Sequence, residues 1–458
     1  MRKRMKRSAK WLRVFSLVIY TGFATVLLWS CSSASHEGKI VAVELIGEPD
    51  MYEGARLVLI DPDNTGKEHK VLSQEFHSAC SPAVNHEGRY LSFQGKQNEN
   101  DPWQIWVMDL KKGKTERVTE LGEDCLHPAA LPDGSLIFSR EASVKGQKVY
   151  DLWRCALDGS ELRRITFDPS INLYTSVLKE GRVLYTSSTQ YPDHTSPVWM
   201  VMRPDGTKSE LYFKGGTQFY PDSDGSESDQ GYIYFTGNNG QLARVSHKRP
   251  LHSLENLSDQ LAGSFSSVVA RDNECLVSYQ PADVELFGLY QYDPESAKLP
   301  VLLYQGDKHL TDPVVIASMP ERPRILPSAV DPLNATALLM SQDINHSQQP
   351  VHPGITGDTL ADRIRVSTLD SELGIVEVKD DGSFYLKLDA DIPFRIESLN
   401  EQGEIIRGPS DWFYLRPNER RACVGCHADP ELAPKNFQPM AVKEDPVVLS
   451  AKMKEISQ

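Results

Sequence analysis

Three residues near the C-terminal end, Cys423, Cys426 and His427, stand in the order C-x-x-C-H within "RRACVGCHADPELAPKNFQPM" (420–440). Four chemistries use such a cluster. In covalent haem attachment two thiols add to the haem vinyl groups, and the tether then holds the adjacent imidazole at the iron. Structural zinc needs four ligands, and no Cys or His follows His427, so a fourth must come from elsewhere in the chain. A redox dithiol usually opens a helix after a strand in a β-α-β unit, a pattern missing here. A disulfide across two intervening residues closes a tight, strained loop. The motif predicts one covalent haem c on Cys423 and Cys426, with His427 on the iron. Met440, the first methionine downstream, is the candidate second iron ligand, reached through a segment that holds Pro430, Pro434 and Pro439; the alternatives are that Met440 only packs on the haem edge while His346, His352 or Tyr414 approaches the iron, or that the position stays open.

A second group is "FHSACSPA" (76–83) and "EDCLHPAA" (123–130), which occupy nearly equivalent places in a repeat. Convergence of Cys80, Cys125 and His127, with His77 and Asp124 nearby, would allow a Cys80–Cys125 disulfide or a zinc site. The third alternative is a set of ordinary, partly buried residues. "PDSDGSESD" (221–229) is acidic, but its glycine stands three places after Asp222 where an EF-hand loop needs it at the sixth position; a solvated turn is expected. Trp106, Trp153 and Trp199 recur at equivalent places and are expected to pack between repeats.

Haem c attachment takes place outside the cytoplasm, and the N-terminus agrees. "MRKRMKRSAK" is basic, Val14 to Trp29 is apolar and uncharged, and Cys31 follows directly between Ser30 and Ser32. This resembles a bacterial lipobox, with Trp29 as a departure, and predicts removal of residues 1–31 as a lipoprotein-type signal with lipid on Cys31. Simple secretion and a retained membrane anchor are the alternatives; all three place the body outside the cytoplasm.

The 458-residue chain has a formal charge of −14, 40% hydrophobic residues and 24% charged ones, as in a multi-domain globular protein. A negative balance, with the basic run confined to the leader, argues against nucleic acid as a partner.

The elements that must carry these residues read as β throughout. "PAVNHEGRYLSFQ" (82–94), "PAALPDGSLIFS" (128–139) and "TSVLKEGRVLYTS" (175–187) each hold a turn glycine (Gly88, Gly134, Gly181) before an alternating apolar run. A strand with a central aromatic, a polar turn and another strand follow each copy. Repeats near 45 residues with four strands each define a β-propeller of about six blades. It spans 39–317, with 313–317 ("PVVIA") supplying the strand that an incomplete first unit lacks. The blades resemble those of the periplasmic Tol-system propeller. Residues 318–336 form a Pro-rich linker. Residues 337–416 alternate as a small β-sandwich that carries the motif on its rim, and 417–458 form the haem-binding segment and tail.

The stretch "DGSFYLKLDADIPFRIESLNEQGEIIRGPSDWFYLRPNERRACVGCH" resembles proteins related to the hydrazine synthase alpha subunit. They share a P-x-E-x-R-x-C-x-G-C-H run, here Pro417, Glu419, Arg421, Cys423, Gly425, Cys426 and His427. The resemblance implies a propeller, a β-rich module, a c-type haem, periplasmic residence and redox partners. Hydrazine synthase alpha carries two c-type haems and this chain one motif, so hydrazine synthesis is not implied. The expected function is electron transfer to or from a redox protein partner by an all-β, lipid-anchored, single-haem protein on the periplasmic side of the cell envelope. A haem enzyme acting on a small nitrogen or oxygen compound and a scaffold lipoprotein with a structural haem are the alternatives. Axial ligation separates the first two, because an open iron permits chemistry that a saturated one does not.

Overall fold

In the computed structural model of the chain, the described residues are 36–46, 52–64, 69–216, 219–271, 273–296, 298–319, 321–425, 429, 431 and 437–451. The leader with Cys31, and Cys426 and His427 of the motif, lie outside them.

Alternating apolar runs separated by Gly and Asp turns fold into six four-stranded antiparallel sheets that follow one another through residues 40–315. They are propeller-like blades. Blade 1 joins Ile40–Leu45, Arg56–Ile60 and Lys70–Val71 to His309–Val315, which comes from the far end of the array. Blades 2 to 6 begin with the inner strands Ser78–Val84, Cys125–Ala130, Ser170–Val177, Ser226–Glu227 and Gly263–Arg271. A single parallel pair, Tyr150 with Ile171, links the sheets of blades 3 and 4. The antiparallel pairing of His309–Val315 with Ile40–Leu45 closes the ring.

Apolar side chains on the blade faces meet those of the neighbouring blade. Phe93, Trp106 and Met108 pack with Val41 and Leu57, and Trp199 packs with Phe213 and Phe235. Truncating a fully buried aromatic such as Trp199 costs about 3–5 kcal/mol. Hydroxyls of neighbouring blades donate to carbonyls of the inner strands. Thr175 Oγ1 donates to His127 O at 2.8 Å, Ser139 Oγ to Asn172 O at 2.7 Å and Ser278 Oγ to Leu310 O at 2.6 Å.

Beyond the ring, the chain runs across the turns between first and second strands of blades 2 and 4. Met319 N donates to His86 O at 3.0 Å and Arg324 N to Lys179 O at 3.0 Å. Farther on, the Arg203 guanidinium donates to Pro327 O and Ala329 N donates to Asp205 Oδ2 at 2.6 Å. Gly181 (φ +93°) must be glycine here, because a Cβ would lie 2.0 Å from the Arg324 carbonyl oxygen.

Two further four-stranded sheets then share one core that includes Leu339, Ile364, Val366, Leu386, Leu388 and Phe394. One sheet is ordered Glu372–Glu377, Arg363–Thr368, Phe394–Leu399, Ile405–Arg407. The other is ordered Arg420–Cys423, Thr336–Ser341, Phe384–Asp389, Val447–Leu449. Its outer strands both come from beyond residue 416 and both pair in parallel with their neighbours. The chain around the motif is therefore part of this domain's own sheet.

Candidate functional site

Cys423 ends the edge strand Arg420–Cys423, opposite Ser341, and its carbonyl accepts Gln342 N–H at 2.8 Å. The strand starts from a buried carboxylate. Glu419, 4% exposed, accepts Arg416 N–H at 2.8 Å on Oε2. Its Oε1 accepts Lys208 N–H of blade 4 at 2.9 Å and the Arg421 guanidinium at 2.7 and 3.0 Å. Buried charge is stable only when paired and hydrogen-bonded, and Glu419 is both. Arg416 extends the junction into blade 3, donating to the carbonyls of Arg164 and Ile165 at 3.2 Å each, with its guanidinium over Phe167. The Glu and Arg of the run thus fix the strand that ends in Cys423.

On the other side of the motif, the chain is tied to blade 5. Asp429 faces His252 in a short hydrogen bond. Glu431 accepts Leu251 N–H at 2.8 Å and Arg249 Nε–H at 3.2 Å. Between these two anchorages Gly425 lies against His346: a Cβ there would meet the His346 carbonyl oxygen at 2.1 Å and the ring Cδ2 at 3.0 Å. His252, Arg249 and Lys208 carried no local signal in the sequence, since each meets the chain around the motif only through the fold, whereas His346 was among the residues expected to approach it.

Met440 lies in a short turn, Met440–Lys443, with its backbone N–H on Asp381 Oδ2 at 2.6 Å and its side chain exposed. His352 turns Nε2 to the Gly408 carbonyl at 3.1 Å, and the buried Tyr414 hydroxyl donates to Met202 Sδ at 3.9 Å.

Of the three alternatives for Cys80 and Cys125, the geometry fits ordinary buried residues and contradicts the disulfide. They form no disulfide: both are free, buried thiols in different inter-blade cores, Cys80 between blades 1 and 2 and Cys125 between blades 2 and 3. The strand registers place Cys80 level with Leu126 and Cys125 level with Ala79, one residue apart, and each thiol packs into the interface of its own blade. The expected metal donors diverge as well. His77 bonds Glu53 at 2.6 Å, Asp124 accepts Trp103 N–H at 2.9 Å, and His127 Nδ1 lies 3.4 Å from Ser81 Oγ. Among the described residues no three His, Cys, Asp or Glu side chains are grouped to hold a metal ion, zinc included.

Burial pushes the thiols of Cys125, Cys155 and Cys275 up to about 12 and that of Cys80 well above its ordinary value, which leaves them unreactive. Burial also raises Cys423, but the nearby Arg421 guanidinium pulls the other way. It is partly exposed where those four are buried.

Fold and site together define an all-β protein in which propeller-like blades flank a β-rich domain whose edge strand ends at Cys423, the first cysteine of the C-x-x-C-H motif. Residues 338–428 match the hydrazine synthase alpha subunit middle domain, and the chain is related to that subunit. Hydrazine synthase subunit alpha of Kuenenia stuttgartiensis is 22% identical over 513 residues, covering 82% of this chain. The chain spans 62% of the length of that relative. The solved structure of Kuenenia stuttgartiensis hydrazine synthase superimposes with a TM-score of 0.76 at 19% identity, covering 89% of this chain and 71% of that one. TolB from Acinetobacter baumannii gives a TM-score of 0.39 at 16% identity, covering 68% and 73%.

Proposed function

We propose that the chain is an exported, lipid-anchored, single-haem c-type protein of the periplasmic side of the envelope. Its six-bladed propeller holds the haem segment and docks a redox protein partner. The observation that carries this reading is the double anchorage of the motif: Lys208 of blade 4 grips Glu419 before it, and Leu251 with Arg249 of blade 5 grips Glu431 after it. The chain is held both before and after the motif, which supports a group tethered between the two anchors.

The donor set fits haem c. Cys423 is a partly buried residue at a strand end, the bare Gly425 lets the chain lie against His346, and the other described cysteines are fully buried in inter-blade cores. Cys423 and Cys426 would hold the group, with His427 on the iron. Bound haem supplies one-electron transfer, or small-molecule chemistry if an iron position stays open. The chain's own residues orient the attachment strand through Glu419 and exclude water behind it with the core around Leu339 and Leu415.

Electron transfer is the first reading. A haem enzyme acting on a small nitrogen or oxygen compound is the second, favoured by the relation to hydrazine synthase alpha. The test is protein matured by a c-type assembly system. Its mass should include one haem that survives denaturation and acid-acetone extraction, and replacing Cys423 and Cys426 together by Ala should abolish it. A mature mass without haem refutes the proposal. Oxidised and reduced spectra with and without carbon monoxide separate the readings, since ready binding of the gas marks an open iron. Cys31→Ala should release the body from membranes or leave the precursor uncleaved; wild type found wholly in the soluble periplasmic fraction refutes the lipid.

A further inference from the structure

Among the described residues, one histidine ring has no hydrogen-bond, ion-pair or ring partner, and it is His346. The other rings are engaged: His69 and His77 rest on Glu44 and Glu53, His252 on Asp429, and His352 on the Gly408 carbonyl. A partly buried imidazole without a partner is costly unless something else comes to meet it.

The turn that carries His346 is firmly held. Gln342 N–H donates to the Cys423 carbonyl at 2.8 Å and Ile344 N–H to the Gly382 carbonyl at 2.8 Å. Asn345 Oδ1 accepts Ala361 N–H at 2.8 Å, and the Ile344 side chain is buried in the core of the second domain. His346 N–H donates to the Asp343 carbonyl at 3.3 Å. These ties present the carbonyl and the ring of His346 to Gly425, where any side chain would collide with both.

Gly425 stands between the two cysteines of the motif and two places before His427. Thioethers on both cysteines hold the residues between them at the haem edge, on the side from which the histidine reaches the iron. A ring in contact with Gly425 therefore stands on the histidine's side of the haem. It does not stand across the macrocycle at the opposite iron position.

We propose that His346 is a positioning residue for the axial histidine, its free ring nitrogen accepting the outer ring N–H of His427 once haem is bound. The proposal rests on the haem reading above. An iron-bound imidazole carries its second N–H away from the metal, and the partner of that N–H fixes the ring and raises its basicity. A neutral imidazole offers one acceptor nitrogen for this bond and keeps its own N–H for water. A more basic axial ligand favours oxidised iron, so His346 would hold the haem potential down.

The test uses the full chain matured with haem, as wild type, His346→Leu and His346→Gln. Mass spectrometry comes first: wild type without covalent haem defeats the haem reading before any potential is measured. Redox titration then reads the midpoint. His346→Leu removes the acceptor and should move the reduction equilibrium roughly three- to tenfold toward the reduced form, the scale of one hydrogen bond. His346→Gln keeps an acceptor and should recover part of that shift, with haem content unchanged in both. His346→Ala repeats the measurement if the leucine hinders haem loading. A midpoint equal to wild type in the variant that lacks the acceptor overturns the proposal, since a ring that only fills space leaves the potential alone. Carbon monoxide binding gained by the variants and absent from wild type would make His346 an iron ligand and overturns it as well.

Discussion

The backbone N–H of Lys208 in blade 4 donates to Glu419 Oε1 across 2.9 Å, joining two parts of the chain 211 residues apart. The same oxygen holds Arg421, two residues before Cys423. One carboxylate thus sets both the docking of the second domain on the ring and the start of the cysteine-bearing strand.

Glu419→Ala should therefore be among the most costly single changes outside the cores. It strands the Arg421 guanidinium and the N–H groups of Arg416 and Lys208 in a buried junction, a loss of about 3–5 kcal/mol. Glu419→Gln keeps the shape and one acceptor and should lose less. Urea unfolding measures both; equal, small losses would show that the junction is held by packing instead.

Glu431 protects one amide in particular. With its carboxylate removed in Glu431→Ala, the Leu251 N–H loses its acceptor, and its hydrogen exchange should speed by roughly five- to tenfold. Amides in the inner strand Gly263–Arg271 should stay unchanged. Unaltered exchange at Leu251 would mean that the chain after the motif does not rest on blade 5.

Stability should depend on pH through the cluster of groups that act on Asp312. Burial raises Asp312 to about 6, and Asp224 and Asp222 are shifted upward as well. Between pH 4 and 7 the folded chain then binds more protons than the unfolded one at these groups, so their contribution declines as pH rises. His127, lowered to about 4 by burial, works in the opposite sense, its contribution falling as pH drops from 6.5. Tyr52, Tyr174 and Cys80, which also face the cluster, are raised and do not titrate in this window. Asp224→Asn and Asp312→Asn should flatten the decline and gain on wild type as pH rises toward 8, measured by urea midpoints from pH 4 to 8. Parallel curves for variants and wild type would remove these carboxylates from the balance.

Met440→Ala bears on the iron. If Met440 is the second ligand, the oxidised haem protein should lose its near-infrared methionine-to-iron band and gain carbon monoxide binding. Wild-type protein that lacks the band and binds the gas readily moves the assignment to the enzyme reading. Met440 is placed by its own N–H on Asp381, so truncating its side chain leaves the turn intact.

Several features were legible because they are local. Gly88, Gly134 and Gly181 are spaced by 46 and 47 residues and mark the turn between first and second strands in blades 2, 3 and 4. The third-strand tryptophans Trp106 and Trp199 are buried in inter-blade cores, and Trp153 is partly so. Residues 221–229 were harder. Their Asp, Gly and Ser content reads as a solvated turn, yet Ser226–Glu227 is the inner strand of blade 5, fixed by Ala270 N–H on Ser226 Oγ at 2.9 Å. There a neighbour overrides local propensity. Cys80 and Cys125 misled because they stand one residue out of register, Cys80 level with Leu126 and Cys125 with Ala79, in different inter-blade cores. The residues one and two places on, Ser81 and His127, do meet, because bulges turn them inward. The anchors around the motif were invisible for a simpler reason: Lys208 and Leu251 contribute backbone amides, which any residue offers.

The ring is closed by a strand that the chain reaches last. His309–Val315 lies beside Ile40–Leu45, so about 265 residues separate the two halves of one latch. Such long-range closure slows folding, because most of the ring must be in place before its ends can meet. The domain with the cysteine motif follows the latch in sequence and rests on blades 3 to 5. In a chain made or exported from its N-terminus, Cys423 and Cys426 would arrive after every blade had been delivered. The motif would then be free as an unpaired thread until Arg420–Cys423 joins its sheet, an interval in which an assembly enzyme could reach both thiols.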